Sequence, residues 1–385
     1  MSYCYDWIVV GAGVTGVPLA YELQKRGQKV LLLEQARKPC NATTLSYGGI
    51  PYWAGSTPWH QQLCRESRQL FSQLDLELEG STEYRELDLL LYLRPEDEPG
   101  TIAQSLEACL IRPDYLTAPE AVLLEPQLNP AAVAGAFVVP HGHINPSKTM
   151  GAYGQAFRRW GGDIAVARVE SWEPQGVKTD SGHYGAERLV ICAGAGGRQL
   201  LLEQGFDLPL YFSQAQVIIT APAALGLKTL VMPARRQRQQ LEAQALQLDW
   251  QKPTTQIAGE ILEAGAIQFL DGHFCLGQIS QLVTDPSYQP DRRLGEALIR
   301  AAIAEILPQL ATLAGECHTV AVAFNPSPYP VVGRVGQQEN LYLFTGFSSP
   351  WCYAPPLARH FARAVTGGQS AIFEAVNQQW GGSRG

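Results

Sequence analysis

Apolar positions along the chain fall into two rhythms. Unbroken runs such as Ile8-Val9-Val10 and Val30-Leu31-Leu32-Leu33 predict parallel strands buried on both faces. Between them Val17, Ala20, Tyr21 and Leu23 share one helical face, which predicts a helix from about Val14 to Arg26 that Gly27 stops. Downstream, a helix is expected around His60–Leu74, strand segments within Ser81–Leu93, and another helix around Gly100–Leu110 after the turn chemistry of LYLRPEDEP. Asn145-Pro146-Ser147 opens a helix that Gly161-Gly162 closes. RLVICAGAGG reads as a buried strand returning to the first sheet. The runs AQVIIT, AIQFL and HFCLGQI, between Phe212 and Gln281, flank a glutamine-rich stretch from Arg235 to Gln251. They suit a second, antiparallel sheet carrying a lid or surface insertion. A helix over Asp291–Leu307 follows, then a strand NLYLFTG ending at Gly346 and a helix from Pro355-Pro356 to about Val365. The final GGSRG reads as frayed.

This order predicts an α/β fold in which the chain starts and ends in one layer, with an α+β domain inserted. The first domain is expected over 1–80, 140–205 and 325–385, the inserted one over 81–139 and 206–324. At 385 residues the chain is too long for one small domain, and 46% apolar with 17% charged residues describes a soluble globular protein with a large core. A net charge of −7 with dispersed basic residues gives no footprint for nucleic acid. The local cluster Arg235, Arg236 and Arg238 reads as a solvated helix face. Cys4, Cys40, Cys64, Cys109, Cys192, Cys275, Cys317 and Cys352 form no C-x-x-C pair, so they read as reduced intracellular thiols rather than a disulfide framework or a zinc site. The first strand leaves no room for a signal peptide, and no apolar run approaches bilayer length. The expected location is cytoplasmic, without a membrane span.

Chemistry enters where the first strand ends. Gly11-Ala12-Gly13-Val14-Thr15-Gly16 matches G-x-G-x-x-G between a strand and a helix. The first glycine permits a tight turn, the second lets backbone approach a pyrophosphate, and the third lets the helix sit close on the strand. The helix N-terminus offers free N–H groups and a positive dipole end to the phosphates. Glu34, just past the second strand, is placed to accept from ribose hydroxyls and disfavours a 2′-phosphate. This is a Rossmann-like cradle, and the segment itself leaves NAD and FAD both open.

With ATTLSYGGI, GHINPSKTMGAYGQAF…GG, RLVICAGAGG and YPVVG…NLYLFTG…APPLARHFA added in that order, the chain resembles a family of FAD-dependent amine and amino-acid oxidoreductases. That family includes D-amino acid oxidase, glycine oxidase and sarcosine oxidase. The resemblance covers essentially the whole chain and implies FAD, because a nicotinamide enzyme has no need of a terminal strand–loop–helix returning to the cofactor. It implies that Gly11, Gly13, Val14, Thr15 and Gly16 hold the pyrophosphate and that Glu34, with Gln35 beside it, binds the adenosine ribose. Thr43 and Thr44 resemble hydroxyl residues that reach the phosphates, and Gly48, Gly49 and Ile50 resemble the backbone strip beside the isoalloxazine ring. The main chain of Val169 would meet the adenine, and Ala193 and Gly194 would flank the pyrophosphate. Gly346, Phe347, Ser348, Ser349 and Trp351, in the loop that runs on to Tyr353, match the approach to the flavin pyrimidine edge. The helix expected at Pro355-Pro356 would aim its positive end there.

The resemblance breaks at two places. An arginine usual in the family some eight residues before the proline of P-x-x-G, where it clamps a substrate carboxylate, is missing. Here the element is Pro330-Val331-Val332-Gly333, preceded by VAVAFNPSPY. Arg85 and Arg334 are the candidates to replace it; otherwise the substrate has no free α-carboxylate. The terminal loop reads SSPWCYAPP in place of a glycine before APPLA, so Trp351 and Tyr353 either wall a pocket or fill a core. Tyr52, Trp53 and Trp59 pose the same choice. His141 and His143 lack a third ligand, so no metal is expected. Counting back from Pro330 without gaps puts the family's covalent-attachment position at Val320 rather than Cys317, which implies non-covalent FAD. The expected activity is oxidation of a C–N bond in a small amine or amino acid by hydride transfer to flavin N5, followed by imine hydrolysis, with dioxygen or another acceptor closing the cycle. The alternatives are a non-amine donor such as a hydroxy acid, or a non-catalytic FAD-binding protein.

Overall fold

The computed structural model describes residues 4–381 except 39, 209, 236–240, 242, 243, 245, 246, 250–254, 326 and 337. Arg236, Arg238, much of the glutamine-rich stretch and the chain end after Gly381 therefore lie outside the described residues.

The chain opens with β1 (Tyr5–Val10), α1 (Gly16–Lys25), β2 (Val30–Glu34), β3 (Gly49–Ile50) and the long α2 (Pro58–Leu78). It continues through β4 (Arg85–Leu93), α3 (Pro99–Leu106), β5 (Asp114–Thr117), α4 (Ala118–Leu124), β6 (Gly135–His143) and α5 (Pro146–Arg159). Next come β7 (Asp163–Val166), β8 (Val169–Glu173), β9 (Gly176–Thr179), β10 (Gly182–Ile191) and α6 (Ala195–Leu202). They are followed by β11 (Tyr211–Thr220), β12 (Leu230–Pro233), β13 (Ile257–Gln268), β14 (Phe274–Val283), α7 (Arg292–Ile306) and β15 (Gly315–Phe324). The end is β16 (Val331–Arg334), β17 (Leu341–Thr345), α8 (Pro350–Val365) and α9 (Ala371–Gly381).

The first sheet has the order β16-β17-β10-β1-β2-β7, with the β8–β9 hairpin attached to β10. Its continuous apolar runs are explained by two covered faces. Trp7, Val9, Val30, Leu32 and Val190 enter a core shared with α1, α2, α5 and α8. Their neighbours Ile8, Val10, Leu31, Leu33, Leu189 and Ile191 enter a second core with α6 and the hairpin. Successive side chains of a strand point to opposite faces, so a run apolar at every position serves both. β1 pairs in parallel with β2 on one side and β10 on the other, so the loop after β1 opens at the point where the strand order reverses.

The second sheet runs β15-β11-β14-β13-β12-β4-β6-β3, with β5 added to β6. It is antiparallel except where β12 lies parallel to β4. The long connection between them passes through β7–β10, outside this sheet, so the chain can re-enter in either direction. Ile299, Ile303 and Ile306 of α7 cover one face against Ile218, Leu276 and Cys317. β6 crosses residue 140 and pairs throughout in the second sheet, as does the short β3.

The last long helix departs from expectation. It begins at Pro350, and Pro355 and Pro356 lie inside it. Pro350 occupies the first turn, where a missing N–H costs nothing. Burial of Trp351, Cys352, Tyr353, Leu357 and Phe361 outweighs the two hydrogen bonds that the inner prolines cannot make.

α1, α2 and α8 are also tied by charge. Arg359 Nε donates to Glu22 at 3.0 Å, its other arm reaches Glu77, and Lys25 meets Glu77 at 2.9 Å. Burial raises the Glu22 carboxyl, while the Arg359 guanidinium opposes that shift. Arg359→Met leaves Glu22 buried without its partner. The expected loss is about 3 kcal/mol, the low end for a broken buried pair because the guanidinium is partly open to water. Denaturant unfolding of Arg359→Met beside wild type measures it, and a loss within error removes this four-residue charge cluster as a stabilising element.

Candidate cofactor and substrate site

The site begins where backbone crowds backbone. Gly11 has φ +101°, and a Cβ there would stand 2.8 Å from the Cys192 carbonyl oxygen and 2.9 Å from Ala193 Cα. At Gly16 a Cβ would meet the Gly11 oxygen at 1.8 Å. No other residue fits either position. Around this turn Ala12 N–H donates to Glu34 Oε2 at 2.9 Å, and Thr15 Oγ1 donates to the Cys192 carbonyl at 3.2 Å. Thr15 gives α1 no side-chain cap, and its first turn holds no acidic residue, so its positive end faces the crevice. Gly194, φ +53°, opens α6 beside Ala193. Glu34 ends β2 opposite Val166, and its carbonyl accepts from Ala167 N–H at 2.9 Å. This brings Glu34, the exposed Gln35 and the start of β8 at Val169 to one end of the sheet.

From the turn a chain of hydrogen bonds runs to the far end of the sequence. Val14 N–H donates to Thr43 Oγ1 at 3.1 Å. Ser46 Oγ donates to the Thr43 carbonyl at 3.0 Å and accepts from Trp351 Nε1 at 2.8 Å. Trp351 is 4% exposed and stands in the first turn of α8, which Ser349 leaves without a side-chain cap. The positive end of α8 therefore lies at Ser349–Trp351, not at Pro355. Gly346, φ +72°, turns the chain here, Phe347 packs on Phe344 at 4.9 Å between ring centroids, and Ser348 and Ser349 are exposed. Thr44 points away from Thr43's partner, its hydroxyl donating to the Asn41 carbonyl at 3.3 Å.

Gly48, Gly49 and Ile50 continue from Ser46 into β3. Gly48 has φ +68°, and a Cβ at Gly49 would stand 2.7 Å from His141 Nε2. His141 Nδ1 accepts from Trp53 Nε1 at 3.0 Å, so the neutral ring carries its proton on Nε2, toward the glycine strip. Burial pushes the His141 imidazole down to about 3. Next to it, His143 Nδ1 accepts from Arg85 Nε at 3.3 Å, and burial with the adjacent guanidinium lowers that ring to about 3 as well. Tyr52 lies under the Arg68 guanidinium at 4.8 Å, and Tyr353 packs against Trp59, His60 and Cys64 in the seam of α2 and α8. Arg334 ends the edge strand β16 and is exposed. Ser46, His141 and His143 are site neighbours that the sequence reading gave no such role. Ser46 had a signal in its hydroxyl-rich run, and the histidines in their placement in HGHINP.

A likeness to known proteins settles the family. The family described as DAO, FAD dependent oxidoreductase, matches residues 6–364. The chain belongs to this family. Human peroxisomal sarcosine oxidase is 30% identical over 213 residues, which is 54% of this chain and 54% of that protein. The chain thus aligns with about half the length of such curated relatives. A crystal structure of glycine oxidase from Geobacillus kaustophilus superposes over 100% of both chains with TM-score 0.80 at 20% identity. L-proline dehydrogenase from P. horikoshii gives TM-score 0.78 over 99% of this chain and 97% of that one, also at 20% identity. The DAO-family fold therefore extends over the whole chain, and with it dependence on FAD. Among the described residues, no helix is long and apolar enough to cross a membrane.

Two outcomes follow for this DAO-family site. Gly11→Ala forces a Cβ against the Cys192 carbonyl, so the purified variant should lose FAD affinity by roughly tenfold or more. The flavin-to-protein absorbance ratio after dialysis reads this, and full retention would overturn the cradle. The second concerns acid. The unfolded His141 ring gains a proton below its ordinary 6.5, whereas the folded ring refuses it down to about 3. Stability present above pH 6.5 is therefore lost as pH falls through this window, by about 1.4 kcal/mol per pH unit for this ring. His141→Asn should flatten the slope of unfolding free energy against pH; an unchanged slope would show that the ring titrates freely.

Proposed function

We propose that this chain oxidises the C–N bond of a small amine or amino acid, in the cytoplasm, with dioxygen or another acceptor completing the cycle. The observation that carries the reading is the hydrogen-bonded path Val14–Thr43–Ser46–Trp351, which brings the start and the end of the chain to one crevice. Both regions are needed to hold a long dinucleotide at its pyrophosphate and at its ring. The cradle fits FAD: Gly11, Gly13, Val14, Thr15 and Gly16 would line the pyrophosphate, with Ala193 and Gly194 opposite. Glu34, Gln35 and Val169 would hold the adenosine end, Thr43 the phosphates, and Gly48–Ile50 with Gly346–Trp351 the flavin ring. When bound, FAD supplies a two-electron acceptor for hydride from the carbon next to nitrogen.

The residues around that ring hold, orient and exclude water. His141 and His143 are buried and neutral at ordinary pH, so the surroundings disfavour an ammonium and favour the free amine that hydride loss requires. The uncapped start of α8 offers a positive end where negative charge gathers on a reduced ring. Cys317 is buried under α7 on the second sheet, which supports non-covalent attachment. Among the described residues the cysteines are thiols, in keeping with a reducing compartment.

Anaerobic mixing of the holoenzyme with a panel of primary and N-methyl amino acids and simple amines tests the reading. At least one should bleach the flavin absorbance and release ammonia or a shorter amine with a carbonyl product. Bleaching by dithionite or by a hydroxy acid, but by no amine, would overturn it.

A further inference from the structure

We propose that Arg85 of β4, held in position by His143, anchors a carboxylate of the substrate. The inference rests on the amine-oxidation reading for its reaction, though not for the existence of the anion site. It begins with register. Gly49 of β3 stands opposite His143 of β6, and His143 stands opposite Arg85 of β4. Residues directly opposite in antiparallel strands share a face, and neighbouring strands lie about 4.8 Å apart. Arg85, His143 and Gly49 therefore form one row, and His141, two residues along β6, shares their face and meets the Gly49 position.

In this row donors outnumber acceptors. Arg85 is half-buried, donates from Nε to His143 and from Nη2 to the Gln268 carbonyl, and has no carboxylate partner among the described residues. Burial lowers its pKa, with only distant help from Glu83. Glu83 is engaged elsewhere, by Lys148 Nζ and by Asn145 Nδ2 at 3.0 Å. Asp271 is held by His273 at 2.5 Å. His143 is 1% exposed, and because its Nδ1 accepts from Arg85 its proton sits on Nε2. The Tyr47 carbonyl is the backbone acceptor that this ring meets. Phe269 covers the imidazole at 4.9 Å between centroids, and His273 stacks on Phe269 at 4.3 Å, so the tip joining β13 to β14 roofs the row.

A half-buried cation without a counter-ion is costly alone. A planar anion would relieve it, because the guanidinium N–H groups left over by His143 and Gln268 suit a carboxylate. An ammonium would be repelled, and a neutral amide would leave the charge uncompensated. The group recognised is thus a carboxylate on the amine substrate.

The test uses inert ligands on the FAD-loaded enzyme. Acetate and propionate are titrated against acetamide and propionamide, read by perturbation of the flavin spectrum and by calorimetry. Wild type should bind the acids and not the amides. Arg85→Met should weaken acid binding by about tenfold or more, Arg85→Lys by less, and His143→Phe by a few-fold. FAD content and melting temperature show that each variant is folded; if Arg85→Met is not, Arg85→Lys and His143→Phe carry the comparison. With a reactive amino acid, the loss should appear in KM for the acid and be absent for the corresponding carboxylate-free amine. Acids bound as weakly as amides by wild type, or equally well by wild type and folded variants, would overturn the anchor. Absence of flavin bleaching by any amine would overturn the proposed reaction and leave this titration readable.

Discussion

The whole arrangement depends on one close approach of main chain to main chain. Where β1 ends, Gly11 has no room for a side chain because the Cys192 carbonyl is already there, and Gly16 has none because of Gly11. This contact fixes β1 against β10 and seats α1 on the sheet. It also leaves the first amides of α1 pointing into the crevice between the two arms of strand order. Ser46 and Trp351, 305 positions apart, meet beside the same crevice. A packing constraint between backbones thereby becomes a binding feature.

Much of this was readable in the residues. The β1–α1–β2 unit, the acid at its end and the return of RLVICAGAGG to the first sheet are local patterns with short-range causes. The start of α8 was not readable, because two adjacent prolines announce a helix start and only burial of Trp351, Cys352 and Tyr353 moves it earlier. Nor was β3, a two-residue strand with no periodicity, whose place in the second sheet is fixed by pairing with His143 and Gly142. The hydrogen bond between Trp351 and Ser46 spans 305 positions and has no local signature. Arg85 could be named from the sequence as an arginine in want of a role, but its row with Gly49 follows from strand register alone.

The two sheets divide the work. The first provides rigid, doubly covered strands and presents its switch point. The second presents one face of β4 and β6 toward the glycine strip, where the Arg85 guanidinium stands beside buried neutral imidazoles. In such surroundings a solitary guanidinium is conspicuous. Electrostatic strength here comes from the scarcity of competing dipoles.

The topology also bears on how the molecule is made. β10 lies between β1, near the beginning, and β17, near the end, and β4 finds β12 only after the first sheet has been traversed. During synthesis, then, a flank of β10 stays open until almost everything else has left the ribosome, and neither layer can close independently of the other. Such nesting trades speed of assembly for a single cooperative unit, and it exposes an unpaired sheet edge to chaperones, or to other nascent chains, for most of translation.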